Sequence, residues 1–377
     1  MGWREVSIMS QRQEFINFVL QEGSNFAELC RRFNISRKTG YKFLNRYNQH
    51  GNEDLRDRSR RPRRSPERTD SETEQLIIAL RKKHASWGGR KLKRRLEDLG
   101  YTAIPCPSTI TAILKRFGCI AEQESQKHRA WTRFEARSPN DLWQMDFKGD
   151  FAAQDSRCYP LTVLDDHSRY SLCIAACGNQ RRQTVQERLT NVFRTYGLPV
   201  RMLMDNGPPW GDSGSSPHTK FTVWLMKLGI AVSHSRPCHP QTMGKDERFH
   251  RSLKAEAIAQ CLYKHIERCQ EVFDDWRMVY NTQRPHESLN MQTPSRVYMV
   301  SKGSFPERLP GDEYAPGDMI RKVYDQGGFI SFKNKTFRVG RAFEGEQVAI
   351  RPAEADGHFD VFFYAHHITT IDLTETT

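Results

Sequence analysis

The spacing of apolar residues changes character twice along this chain, and that change restricts the fold more than any other feature. Through the first third the period is helical. Phe15, Phe18 and Val19 share one face, Phe26, Leu29, Cys30 and Phe33 another, and Leu76, Ile77 and Leu80, then Leu92, Leu96 and Leu99, then Ile110, Ile113 and Leu114 mark three further helices. Past Pro139 the period shortens. Residues 143–147, 159–164 and 170–175 read as strands, separated by turn signals at Gly149-Asp150 and Asp165-Asp166. A helix over 184–196, a strand over 201–204 ending in Asp205, and a helix over 222–228 follow, and such alternation predicts an α/β layer. A long basic helix begins at Gly244 and another covers 266–282. From Asp318 six short strands follow, over 319–323, 328–332, 336–339, 347–351, 359–364 and 368–371, which pack most naturally as a small all-β, SH3-like barrel.

The chain is therefore expected to be multidomain: all-α units at 1–54 and 71–130, a linker at 55–70, an α/β core at 138–300 and the barrel at 312–372. Nine cysteines, an odd number without any C-x-x-C pair, argue against a disulfide framework and structural zinc, and Cys173 and Cys177 read as small core side chains. No apolar run reaches the roughly 20 residues needed to span a bilayer, and no signal peptide opens the chain, so a soluble, cytoplasmic protein without a membrane partner is expected.

A formal net charge of +13 points to polyanions as partners, and its distribution points to DNA. Asn34-Ile35-Ser36 separates two N-terminal helices, and Ser36 can cap the second, which is basic. That is the helix-turn-helix pattern. It sets Arg37, Lys38 and Lys42 toward base edges, with Arg46 one turn further along. The arginine- and proline-rich segment that follows, with Arg60, Arg61, Arg63 and Arg64, cannot build a core and reads as an arm along phosphates or in a minor groove. The second helical unit, with Ser108 as the expected cap of its last helix, is a second helix-turn-helix candidate.

Among 45 acids, three are singled out by context. Asp146 lies inside a strand between Met145 and Phe147, where a bare carboxylate is costly without a cation. Asp205 ends another strand, where α/β sheets present ligands. Glu247 falls in the first turn of a helix whose Phe249 and Leu253 can pack inward, while Glu247, Arg251 and Lys254 share another face. Three separate segments can thus bring carboxylates to one metal site. Asp246 is directed roughly 100° away from Glu247 on the same helix. Asp150, Asp165 and Asp166 fit turn or capping roles, the latter two pairing with Arg169, and His239 and His250 read as packing or phosphate contacts. Lys245, Arg248, Arg251 and Lys254 form a basic face suited to gripping a DNA strand.

The segments Trp143-Gln144-Met145-Asp146-Phe147, Asp205-Asn206-Gly207-Pro208-Pro209 and His239-Pro240-Gln241-Thr242-Met243-Gly244-Lys245-Asp246-Glu247-Arg248-Phe249-His250 resemble the catalytic core of insertion-sequence transposases related to retroviral integrases, most of all the IS481 and IS3 group. Asp165-Asp166-His167-Ser168-Arg169-Tyr170, Asn281-Thr282-Gln283-Arg284-Pro285-His286 and, upstream, Trp87-Gly88-Gly89-Arg90-Lys91-Leu92 resemble it too. The resemblance implies an RNase H-like core in which Asp146, Asp205 and Glu247 hold two divalent ions, magnesium or manganese, for DNA cleavage and strand transfer. The chain departs from the family in the 41 residues between Asp205 and Glu247, a longer stretch than usual, and in Met204, Met243 and Asp246. The expected function is a DDE transposase acting on double-stranded DNA, both element ends and target, as a homo-oligomer that brings the ends together. The alternative is a transposase-derived DNA-binding regulator with a silent core.

Overall fold

In the computed structural model, which describes residues 8–58, 69–120, 135–154, 156–211, 218–235, 244–311, 314–324 and 327–374, side-chain caps fix where the first helices start. Helix α1 is Ile8–Val19, α2 Phe26–Arg32 and α3 Arg37–His50. Asn25 Oδ1 accepts the amides of Ala27 and Glu28 at 3.1 and 3.2 Å, and Ser36 Oγ accepts that of Thr39 at 3.1 Å, as its position before the basic helix predicts. Phe15, Ile16, Cys30, Phe43 and Leu55 close the core of this unit, which ends at Arg68. Gly40 lets α3 approach its neighbours: a Cβ there would lie 2.9 Å from both Cys30 Sγ and Phe26 Cζ.

The second unit runs from Thr69. Its helices α4 (Ser71–Lys83), α5 (Gly89–Asp98) and α6 (Pro107–Arg116) bury Ile77, Trp87, Leu92, Leu96, Ile110, Ile113 and Leu114 against one another. The start of α6 corrects the expectation for Ser108. Pro107, with no amide hydrogen to satisfy, takes the first helical position, so Cys106 stands at the cap and Ser108 lies inside the first turn.

The central sheet contains the three predicted strands β1 (Trp143–Phe147), β3 (Arg157–Asp165) and β4 (Ser171–Cys177), and β5 (Arg201–Met204). It also contains two strands not anticipated, β2 (Phe151–Ala152) and β6 (Ala231–His234). β3 pairs antiparallel with β1 on one side and with β4 and the short β2 elsewhere along its length. β1 pairs parallel with β5, and β5 with β6. The pleat then sorts the side chains. Trp143, Met145 and Phe147 of β1 join Leu161 and Val163 of β3 beneath α7 (Arg182–Tyr196) and α8 (Lys220–Lys227). Each large apolar side chain buried there contributes about 1.5–3 kcal/mol. Cys158, Leu164, Ile174 and Ala176 face the opposite layer, made by α9 (Gly244–Leu253), a π turn at Lys254–Ile258, α10 (Ala259–Cys261) and α11 (Ile266–Thr282). By the same alternation Gln144 and Asp146 are directed to this second face. A short helix α12 (Pro294–Val297) follows.

The C-terminal strands are β7 (Met319–Lys322), β8 (Phe329–Phe332), β9 (Lys335–Arg338), β10 (Gln347–Pro352), β11 (His358–Phe363) and β12 (His366–Asp372). They form a four-stranded antiparallel sheet, ordered β12-β11-β10-β7, and a separate β8–β9 hairpin, rather than the closed barrel expected. The physical reason lies in what covers their apolar faces. Val223 and Met226 of α8 enter the same core as Val348, Ile350, Val361 and Phe363, so a helix supplies the cover that closure would otherwise provide. Lys220 Nζ donates to the Glu344 carbonyl at 2.8 Å, and Lys227 pairs with Glu346 at 2.7 Å. No helix among the described residues is long and apolar enough to cross a membrane. The eight described cysteines are all free thiols, Cys177 buried and Cys173 half-buried as expected of core side chains.

Candidate active site

Two neighbouring parallel strands bring the first two acids together. Gln144 of β1 stands opposite Leu203 of β5. Continued past the last recorded pair, that register leads Asp146 toward Asp205, which follows the end of β5 and whose charge reaches it. Asp146 is largely enclosed, its side chain 29 % exposed. Burial, and then the charge of Asp205, push its carboxyl up to about 6, while the amide of Phe147 and the charge of Lys148 pull the other way. Asp146 Oδ1 accepts that amide at 2.7 Å.

Asp205 follows β5 directly and is held from three sides. Its Oδ1 accepts from the Gly207 amide at 3.1 Å and from Trp210 Nε1, and its carbonyl is bonded to His234 Nδ1 at 2.8 Å. The Trp210 ring stacks on Phe147, with centroids 5.2 Å apart, so one tryptophan supports the neighbour of one acid and donates to the other. The expectations gave Trp210 no role.

Helix α9 lies over this end of the sheet, and its inward stripe is Asp246, Phe249, His250 and Leu253, all buried. Phe249 and Leu253 pack as expected, and Glu247, Arg251 and Lys254 are exposed on the other face, as is Arg248. Asp246 takes the position facing Asp146. It is 1 % exposed, and burial, together with the charges of Asp146 and Glu247, raises its carboxyl well above the usual range. His250 Nε2 is 3.3 Å from Asp246 Oδ2 and 2.8 Å from Thr162 Oγ1, and Nδ1 is 3.9 Å from Asp146 Oδ2. Burial drops the His250 imidazole to about 3, which keeps it neutral at physiological pH. Asp146, Asp246 and His250 thus bring three metal-competent ligand atoms within 4.8 Å of one another. Buried carboxylates of this kind, turned toward one another with no hydrogen-bonded partner on Asp246, fit a divalent cation.

The remaining expectations sort by location. Asp165 accepts from the Ser168 amide at 2.7 Å, a turn role, and from the Asn140 amide at 2.7 Å, whereas Asp166 accepts from the distant Ala136 amide and Gln144 Nε2, also at 2.7 Å, and so ties segments together rather than capping a turn. Arg169 pairs with Glu135 at 2.8 Å rather than with either aspartate. Lys245, expected on a DNA-gripping face, is only 12 % exposed and is bonded to Asp166 at 2.5 Å, where it pins the start of α9 to the sheet. Asp150 pairs with Arg157. Arg37, Lys38 and Lys42 are exposed on α3, and Arg46 is half-buried with its guanidinium 5.6 Å from the Phe43 ring. Arg60, Arg61, Arg63 and Arg64, like His239, lie outside the described residues.

Comparison with known proteins adds sequence families to this geometry. Residues 136–240 match the integrase core domain, 228–294 a second integrase core description, and 318–377 the C-terminal domain of IS481 family transposases. A helix-turn-helix domain matches 11–63 and a homeodomain-like domain 39–114. An uncharacterised 39.2 kDa protein of insertion element IS476 from Xanthomonas euvesicatoria is 30 % identical over 158 residues, covering 42 % of this chain and 44 % of that protein. The putative transposase of element IS5376 from Geobacillus stearothermophilus is 21 % identical over 97 % of this chain and 88 % of its own length. The matched part amounts to about half the length of the first curated relatives, 44 % and 55 %. Among solved structures, the HTLV-2 integrase catalytic core domain in complex with magnesium aligns with 44 % of this chain and all of its own, at 14 % identity and a TM-score of 0.34.

Proposed function

We propose that this chain, an insertion-sequence transposase of the IS481/IS3 type with an integrase-like core, cuts DNA at element ends and joins the freed 3′ ends to target DNA. The observation that carries the reading is the nearness of Asp146 on β1 to Asp205 just past the end of the neighbouring parallel strand β5, close enough for one charge to raise the other's affinity for a proton. Both acids, with Glu247 from the exposed side of α9, would hold two divalent ions, magnesium or manganese. Bound there, such ions activate an attacking oxygen and stabilise the leaving one in an in-line phosphoryl displacement.

The protein's own contribution is orientation. Trp210 and the Gly207 amide fix Asp205 Oδ1, the Phe147 amide fixes Asp146 Oδ1, and the Lys245–Asp166 bond sets where α9 enters. Water attacks when a strand is cut and a DNA 3′-hydroxyl when ends are joined, so no protein nucleophile is required. Arg37, Lys38, Lys42 and Arg46, the arginines of the 55–70 segment, and Arg248, Arg251 and Lys254 are the proposed contacts to duplex DNA. The domain limits read from the sequence, 1–54, 71–130, 138–300 and 312–372, are the proposed functional divisions. Joining two ends requires at least two bound copies, and the cytoplasm is the compartment where such DNA lies.

The test is incubation of the full chain with its element's end sequence and magnesium or manganese, beside Asp205→Asn, with cut and joined strands resolved on a gel. Metal-dependent products that vanish in the variant support the proposal. Tight binding without either product under both metals refutes it in favour of a DNA-binding regulator.

A further inference from the structure

We infer that Lys91, Arg284 and His286 form a binding site for one phosphate of the DNA backbone, at the seam between the upstream helical bundle and the core. The inference rests on the function proposed above for the source of that phosphate. The seam is made by α5 running beside the end of α11. Val279 packs into the bundle core, Arg95 donates to Gln283 Oε1 at 3.0 Å, and Arg90 pairs with Glu287 at 3.4 Å. Lys91 lies one turn before Arg95 on the same face of α5, which brings it to the Arg284-Pro285-His286 turn between those two contacts.

Positive charge collects at this turn in excess of its counter-charge. Arg284 is 5 % exposed, and the His286 ring stands edge-on to Tyr280 with centroids 4.9 Å apart. Burial, and then the charges of Arg284, Lys91, Arg169 and Arg248, hold the His286 imidazole well below its usual range. Burial and Arg284 lower the Lys91 ammonium to about 7. The two acids near Lys91 are engaged elsewhere, Glu287 with Arg90 and Glu256 with Arg284, Ser86 and Trp276. Among the described residues no carboxylate forms an ion pair with Lys91. Donors are left over as well: Arg284 Nε, His286 Nε2 and Arg169 Nη1 are buried without a hydrogen-bond partner. Arg284 uses its other nitrogens on Ser252 Oγ at 2.8 Å and Glu256 Oε2 at 3.4 Å. Buried donors and like charges gathered in this way fit an anion with several acceptor oxygens. A phosphate group, whose oxygens are directed tetrahedrally, can accept at once from α5 and from the turn after α11. Arg248, exposed on α9 and acting on the same cluster, marks the side from which a long polyanion reaches it.

Binding of the full chain to a duplex of the element's end sequence in chelator, followed by fluorescence anisotropy across a salt series at about pH 6.5, tests the site apart from any cleavage. Lys91→Gln is expected to weaken binding about five- to tenfold at about 0.1 M salt and to flatten the dependence of log K on log salt by about 0.9, the share of one phosphate. Lys91→Arg, which keeps the charge, is expected to retain both. Replacing single phosphates by uncharged methylphosphonates is expected to find a linkage whose neutralisation weakens the wild type but not Lys91→Gln. Without DNA, inorganic phosphate is expected to raise the melting temperature of the wild type above its value in chloride of equal ionic strength, and to do so less in Lys91→Gln. Equal salt slopes for wild type and Lys91→Gln, or the absence of such a linkage, overturn the inference. Stabilisation by inorganic phosphate beside an unchanged DNA slope overturns the backbone as its ligand and leaves a site for a free anion. If Lys91→Gln folds poorly, the methylphosphonate series with His286→Asn decides. A wild type that shows every expected effect yet never cuts DNA refutes the proposed chemistry and leaves this site standing, whereas one that does not bind the duplex overturns both.

Discussion

Replacing Asp146 by asparagine should stabilise the metal-free protein, although it removes a group on which the proposed chemistry depends. In the folded state the carboxyl is pushed from 3.8 up to about 6, first by burial and then by the charge of Asp205. Between those two values the folded chain holds a proton that the unfolded chain has released, so stability falls as pH rises through this window. The penalty is absent below pH 3.8 and complete above about 6. A displacement of that size is worth about 3 kcal/mol, and screening at a side chain 29 % exposed reduces the expected gain to about 1–3 kcal/mol. For a core of this size that raises the midpoint of thermal unfolding by several degrees, on the order of 3–10 °C. Thermal unfolding in chelator at pH 7.5 and at pH 4, wild type beside Asp146→Asn, measures it. The variant should melt higher at pH 7.5, with little difference at pH 4. Manganese at a thousandfold excess over Kd should reverse the order, because only the wild type gains from the ion, by about 4.1 kcal/mol. A variant less stable than wild type at pH 7.5 in chelator, or a gain independent of pH, would refute the electrostatic account of this site.

Other perturbations test separate parts of the molecule. Glu256→Ala leaves Arg284 buried without its partner and removes acceptors from Ser86 and Trp276. Chemical unfolding of the Thr69–Thr377 unit should show a loss of about 3–5 kcal/mol. Gly40→Ala forces a Cβ to within 2.9 Å of Cys30 Sγ and Phe26 Cζ, and should destabilise the N-terminal unit by about 1–3 kcal/mol, read as an earlier first transition on heating. Neutralising Arg37, Lys38 and Lys42 together should weaken DNA binding and flatten the dependence of log K on log salt by about 0.9 for each phosphate no longer neutralised, measured by fluorescence anisotropy. An unchanged slope would remove α3 from the DNA surface.

Periodicity revealed most of this architecture because each layer buries a face. The three strands around Asp146, the helix over 184–196 and the six C-terminal strands all carry the alternation that a half-buried element must have. β2 escaped because two residues cannot display a period, and β6 because Ala231, Val232, Ser233 and His234 are half-buried and lack an apolar contrast. Barrel closure was not legible, since the strands alone give no sign that Val223 and Met226, about a hundred residues earlier, would cover them. The places of the two aspartates were readable, Asp146 inside its strand and Asp205 where another ends. Around α9 the signal was present: Asp246, Phe249, His250 and Leu253 fall at i, i+3, i+4 and i+7, so the inward helical stripe already contained an acid and an imidazole. Trp210 was not legible, because its two contacts join residues 63 and 5 positions away.

Glu256 has a consequence beyond the stability of its ion pair. It sits where the α9 helix loosens into a π turn, and it accepts at once from Ser86 in the upstream helical bundle and from Trp276 and Arg284 in the layer behind. The bundle and the helix carrying Asp246, Glu247 and His250 are thereby fastened to one side chain at the π turn. A displacement of the bundle therefore pulls through Glu256 on the turn that ends α9.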